Sequence, residues 1–284
     1  MTKTSATLAA LVAAIVLGEA APAFADEAEV HYRMCLTHKR ANRMEAALEE
    51  CHQATSLRDS HAAAHFTTGT ILRRLGRLEP ALRAFQRAAT LQPQNGGAHG
   101  MVGAVLIRLR RYDQAIEPLR RACEIEPENA SHWGNLGMAY RQLRRFDDAI
   151  RTYQSGLSRH ADHPDLLNNL AVLFRRQRMN EQAIVMLQAA IERNPDQGEM
   201  HKNLAITLRA SERYEEAIPH YRRALELGQR GTGLLFDLAI CYEQVGQYDR
   251  AVETYERFVN EVRASDPAAA QRAQDTIQRL RRRL

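Results

Sequence analysis

The sequence predicts an all-α solenoid of seven helical hairpins, and three observations carry that prediction. First, alanine recurs at Ala47, Ala81, Ala115, Ala149, Ala183, Ala217 and Ala251, each 34 residues after the last, and a fixed period of this length marks a stacked repeat array. Second, two other positions of the same period are kept small. Third, Pro93, Pro127 and Pro195 recur in the same register, where a proline just past a helix end stops the second helix of a unit.

Taking each of those alanines as position 20 of a unit places the repeats at 28–61, 62–95, 96–129, 130–163, 164–197, 198–231 and 232–265, with no insertion or deletion. Position 8 reads Cys35, Gly69, Gly103, Gly137, Ala171, Ala205 and Ala239. Position 27 reads Ala54, Ala88, Ala122, Gly156, Ala190 and Ala224, then breaks at Phe258. Small residues let two helices approach, and larger ones beside them fill the layer. The larger ones are Leu136, Leu170, Leu204 and Leu238 at position 7, with Phe85, Leu119, Tyr153, Leu187, Tyr221 and Tyr255 at position 24. Pro118 and Pro219 fall inside second helices, where each removes a backbone donor and costs about 3 kcal/mol. The unbroken register around both predicts local kinks with the repeats intact.

Ahead of the repeats, Lys3 precedes an apolar run from Leu8 to Leu17, and Ala23, Phe24 and Ala25 stand before Asp26. That is the layout of a secretory signal peptide with an A-x-A cleavage site, so residues 1–25 are expected to be removed on export to the periplasm or beyond. The run is too short for a membrane span of about 20 apolar residues. No stable membrane insertion is expected after cleavage. Behind the repeats, residues 266–284 are expected to form a capping helix. Asp266 and Pro267 mark its start, while Ala273, Ile277, Leu280 and Leu284 share one face. Arg279, Arg281, Arg282 and Arg283 fall mostly on the wet side, and Phe258 reads as a plug beneath the cap.

Composition is that of an ordinary globular chain, 45% hydrophobic and 26% charged, and points to no function by itself. The net charge of +5 invites a nucleic-acid reading. Against it, all but three of the 39 basic residues are arginines spread along the whole length among acids, with no concentrated footprint for phosphate. The chain contains no glycine-rich phosphate loop, zinc-protease motif or nucleophile elbow. Because the repeats consume nearly all of it, a non-enzymatic protein with no cofactor is expected.

The repeat resembles the tetratricopeptide-repeat family, whose signature of Trp, Leu-Gly, Tyr and Ala is matched most fully by Trp133, Leu136, Gly137, Tyr140 and Ala149. The resemblance spans residues 28–265. It implies a right-handed solenoid whose first helices line a concave groove, and a role in holding other proteins as an adaptor or scaffold. Position 6, on that lining, reads Asn135, Asn169 and Asn203, followed by Asp237. An asparagine amide both donates and accepts, so a ladder of them can hold the backbone of an extended peptide. Asparagine also suits a solvated helix face, but its modest helix propensity argues against it as a default filler three times over. Position 12 adds Arg73, Arg141, Arg175 and Arg209, whose guanidinium groups suit carboxylates on a guest. In an arginine-rich chain this is the weaker signal. Position 2 carries Asp165 and Glu199, against the basic clamp of the family's chaperone-binding members. All these side chains are expected to face solvent.

Cys35 and Cys51, at positions 8 and 24 of the first unit, stand on facing helices, and export favours a disulfide between them. The alternative is a metal- or redox-linked role for the cluster of His31, Cys35, His38, Cys51 and His52. However, His31, His65, His99 and His201 all occupy position 4, a slot the family fills with an aromatic, so packing accounts for them more simply and no metal is expected. Cys123 and Cys241 lie too many repeats apart to pair.

Overall fold

In a computed structural model, the described residues are 26–284. The expected leader peptide therefore lies outside the described residues. Fifteen α-helices follow one another among these residues, with no strand. They divide into two compact units, the first running to Arg111 and the second from Tyr112 to Leu284.

The first unit contains α1 (Glu27–Arg40), α2 (Met44–Leu57), α3 (Ala62–Arg74), α4 (Leu78–Leu91) and α5 (Gly96–Arg108), each packed on the next. Ala47 and Ala81 are fully buried, so the backbones of a hairpin meet at a residue with no side chain beyond Cβ. Gly69 does the same for α3. A Cβ there would sit 2.8 Å from the ring of Phe85, which is itself fully buried. In the first hairpin the same two positions hold Cys35 and Cys51, joined by a disulfide with Cα atoms 5.2 Å apart.

The second unit runs through α6 (Tyr112–Ile125), α7 (Ala130–Gln142), α8 (Phe146–Leu157), α9 (Pro164–Arg176), α10 (Asn180–Arg193), α11 (Gly198–Ala210), α12 (Tyr214–Glu226), α13 (Thr232–Gln244), α14 (Tyr248–Val262) and α15 (Pro267–Arg281). Each helix packs on its successor, and the first helices of successive hairpins, α7, α9, α11 and α13, also touch in series. One wall is thus built from first helices alone. The core is continuous from Ala149 to Leu280, with Tyr153, Leu170, Leu187, Leu204 and Tyr221 almost completely enclosed. Helices α6 and α12 run on through Pro118 and Pro219.

The carboxylate of Asp266 accepts from the Ala269 amide at 2.9 Å and starts α15, satisfying one of the donors a helix N-terminus leaves open. Ala273, Ile277 and Leu280 of α15 are buried, and Phe258 lies 5% exposed in the same core. Leu284 departs from the expected face. It lies beyond the helix, 63% exposed, because α15 ends at Arg281 before the pattern can carry it inward.

The turn inside the hairpins is the same throughout. Asn42, Gly76, Arg110, Arg144, Arg178, Glu212 and Gly246, all at position 15, have φ between 59° and 76°. This is the left-handed region, which only glycine enters without steric cost.

Candidate peptide-binding face

The first-helix wall of the second unit carries most of the residues that the sequence singles out for binding. Asn135 projects from α7 and Asn169 from α9. Both are half-buried and make no side-chain hydrogen bond among the described residues. Their amides remain available to a guest. Asn203 on α11 departs from the expectation of solvent exposure: it is only 5% exposed, and its Nδ2 donates to Oδ1 of Asn168 at 3.0 Å. The neighbouring first helix supplies an amide of its own, so the third rung of the ladder is spent on joining α11 to α9.

The arginines divide in the same manner. Arg209 on α11 lies 3.4 Å from Asp237 on α13, and its Nε donates to the hydroxyl of Tyr221 at 3.3 Å. That hydroxyl in turn donates to Oδ2 of Asp237, also at 3.3 Å. Burial pushes the Asp237 carboxyl up, while Arg209 and Tyr221 pull it back. Two residues expected to face a guest thus neutralise each other within the fold. Arg141 and Arg175 make no ion pair or hydrogen bond among the described residues. The Nε of Arg175 is enclosed without a partner, and burial, with Arg176 nearby, draws its pKa down. Arg73 belongs to the first unit, on α3, where its Nε is likewise enclosed without a partner.

Sequence reasoning treated the position-4 histidines as packing and missed their polar role. Nε2 of His65, His99 and His201 lies 3.0, 3.1 and 3.0 Å from the backbone oxygens of Asp59, Pro93 and Pro195. Nε1 of Trp133 makes the same contact with Pro127 at 2.8 Å. A carbonyl can only accept, so each ring nitrogen is the donor. Imidazole therefore replaces indole by tying down the loop that leads into its own helix. The six-residue step from position 32 to position 4 was the available signal.

Around the first hairpin, Nδ1 of His31 lies 2.7 Å from the carboxylate of Glu50. Both sulfurs of Cys35 and Cys51 are consumed by their mutual bond, which removes the thiolates a metal site in that cluster would need. No group of three or more His, Cys, Asp or Glu side chains among the described residues is placed to hold a metal ion. Cys123 and Cys241 are buried free thiols, each raised to about 12 by burial, far from the thiolate form that reacts. No helix among the described residues is long and apolar enough to cross a membrane.

Comparisons with known proteins agree with this architecture. The family model described as the cilia and flagella-associated protein 70 C-terminal domain, a tetratricopeptide-repeat domain, matches residues 3–234. A tetratricopeptide repeat model matches residues 208–277. Neither is a family of enzymes. No curated protein matches the chain. Among solved structures, Pseudomonas aeruginosa pilF is 18% identical, with a TM-score of 0.65 over 77% of this chain and 99% of that one. YrrB, described as a TPR protein with an unusual peptide-binding site, is 24% identical, with a TM-score of 0.55 over 62% of this chain and 90% of its own. MamA from Desulfovibrio magneticus RS-1 is 20% identical, with a TM-score of 0.57 over 62% and 99%. At these identities the likeness is one of fold. With the repeat period, the helical hairpins and a family match over most of the chain, the protein belongs to the tetratricopeptide-repeat family.

Proposed function

We propose that this chain is a non-enzymatic scaffold that holds an extended segment of another protein along the first-helix wall of its second unit, and that it does so after export from the cytoplasm, in assembly, secretion or enzyme maturation at the cell envelope. The observation that carries the reading is the pair Asn135 and Asn169, two amides 34 residues apart with no side-chain partner among the described residues. Each can donate to and accept from one backbone unit of a guest, whatever the guest's side chains. Family membership supports a role in protein interaction, and YrrB is a fold neighbour described as having a peptide-binding site. The export part rests on the leader-like residues 1–25 and on a disulfide that suits an oxidising compartment.

A photo-crosslinking residue placed at Asn169 in cells, followed by mass spectrometry, tests the interaction. The expected result is capture of one short continuous segment of a partner, with little capture from the same residue at exposed Arg151 on α8. Equal capture at the two positions would remove the wall from the account. Intact mass on the same preparation reads the export claim. A chain beginning at Asp26 is expected, and one retaining the first 25 residues refutes it.

A further inference from the structure

The position-12 row of the second unit is electrically uneven. It reads Arg141, Arg175, Arg209 and Glu243, one residue on each successive first helix. The last two are neutralised inside the protein. Arg209 pairs with Asp237, while Glu243 is 3.1 Å from Arg279 of α15 and accepts from the Tyr255 hydroxyl at 3.4 Å. The first two have no counter-charge among the described residues.

The neutralised pair shows what the open positions lack. Arg209 is followed by Tyr221 twelve residues later and by Asp237 sixteen residues after that. Tyr221 bridges the two, accepting from the guanidinium and donating to the carboxylate. Arg141 is followed at the same intervals by Tyr153 and Asn169, so one arrangement recurs with an amide where the carboxylate was. Here the Tyr153 residue is fully buried, and its hydroxyl has no hydrogen-bond partner among the described residues. A buried hydroxyl without an acceptor costs about 1–3 kcal/mol. Arg175, one repeat on, has the enclosed and unpartnered Nε already described, with Asn203 at its carboxylate position.

We propose that the guest segment is acidic and supplies the missing counter-charge: an Asp or Glu side chain, or a chain terminus, pairs with the Arg141 guanidinium beside Asn169, as Asp237 pairs with Arg209, and a second carboxylate meets Arg175. Asp237 is then a built-in copy of the ligand at the neutralised end of the row. Packed helices lie about 8–10 Å apart, and an extended chain advances about 3.3 Å per residue, so the two acids stand about three residues apart. The proposal rests on the extended-segment reading above and adds its chemistry.

The test uses the full chain and three fluorescein-labelled peptides of one length, in which two glutamates three residues apart in a glycine-serine background are kept, changed to glutamine, or changed to lysine. The glutamate peptide is expected to bind at least tenfold more tightly than the glutamine one, and the lysine peptide not at all. Asn169→Asp supplies the carboxylate from within. This variant should melt at a higher temperature than the wild type and lose the glutamate preference. The double variant Arg141→Gln/Arg175→Gln should lose the preference without that gain in melting temperature. Equal binding of the glutamate and glutamine peptides overturns the acid preference while leaving the extended-segment reading standing. Absence of binding by all three, or a preference that survives in both variants, also overturns it, and crosslinking at Asn169 then decides the fate of the broader reading separately.

Discussion

The first hairpin and the fourth fill the same internal position by opposite means. In the fourth, Gly137 lets the ring of Tyr153 lie flat against α7, so close that a Cβ on the glycine would be 2.4 Å from Cε1. In the first, Cys35 and Cys51 close the same gap with a covalent bond. The fourth hairpin is packed between neighbours on both sides, and its tyrosine belongs to a core that runs on to Leu280. Among the described residues the first hairpin has a neighbour on one side only. It has less apolar surface to bury, and an end unit of a stacked array gains less from nearest-neighbour contacts. Packing holds where there is a neighbour to pack on, and a cross-link holds where there is not.

The largest expected effect is in the fourth hairpin. Tyr153→Ala opens a cavity under α7 and should cost about 3–5 kcal/mol, read as a drop in the denaturant midpoint with loss of protection in α7 to α9. Reducing the disulfide, or the pair Cys35→Ala and Cys51→Ala, reopens a loop of about 15 residues, worth about 3 kcal/mol. Hydrogen exchange should place that loss in α1 and α2 alone. If reduction also loosens α3 and α4, the end hairpin is not the independent unit this comparison makes it.

A smaller change sharpens the packing side. Gly137→Ala forces a methyl into the Tyr153 ring and should cost about 1–3 kcal/mol as an overpacked site. Tyr153→Phe should run the other way. It keeps the ring and deletes a hydroxyl that has no partner among the described residues, so the free protein should be as stable as the wild type or slightly more so. A clear loss of stability in Tyr153→Phe would show that the hydroxyl already has a partner in the free protein.

The smallest effect concerns pH. Nδ1 of His201 and Nδ1 of His220 lie 2.9 Å apart. His201 donates through Nε2 to Pro195, so when neutral it accepts at Nδ1 from His220. Burial, and then the charge of His201, lower the His220 pKa, with Glu216 opposing. An unfolded histidine takes up its proton near pH 6.5, and folded His220 does so only at lower pH. Its contribution to stability is therefore complete above about pH 6.5 and is lost progressively as the pH falls from there towards the lower folded value. His220→Gln should flatten the fall in melting temperature between pH 7 and pH 5, and an unchanged slope would assign that fall to other groups.

The parts of this molecule that the sequence made legible are those that repeat without exception. Alanine at position 20 leaves no alternative to close helix approach, and Cys35 with Cys51 announced their pairing by falling on the small and large positions of one hairpin. The candidate site was legible in place but not in state. Asn203 looks like Asn135 and Asn169 until Asn168, the residue beside the rung, reaches it from the next helix. Likewise, Arg209 and Asp237 lie on first helices as the register predicts, yet their 28-residue separation, which is the step from position 12 of one unit to position 6 of the next, makes them partners of each other. The repeat register aligns residues down each column, whereas charge and hydrogen bonding are settled between columns.

The seven left-handed turns have a consequence of their own. Two use glycine and five do not, among them three consecutive arginines at Arg110, Arg144 and Arg178. A side chain held there costs about 1 kcal/mol relative to glycine, and each unit bears that cost on its own. Because each turn is separate, the cost can also be removed one unit at a time. Placing glycine at the five positions one at a time would give a graded series of proteins alike in their first-helix wall and differing in how readily each hairpin opens, with which a local melting order could be written into the chain by hand.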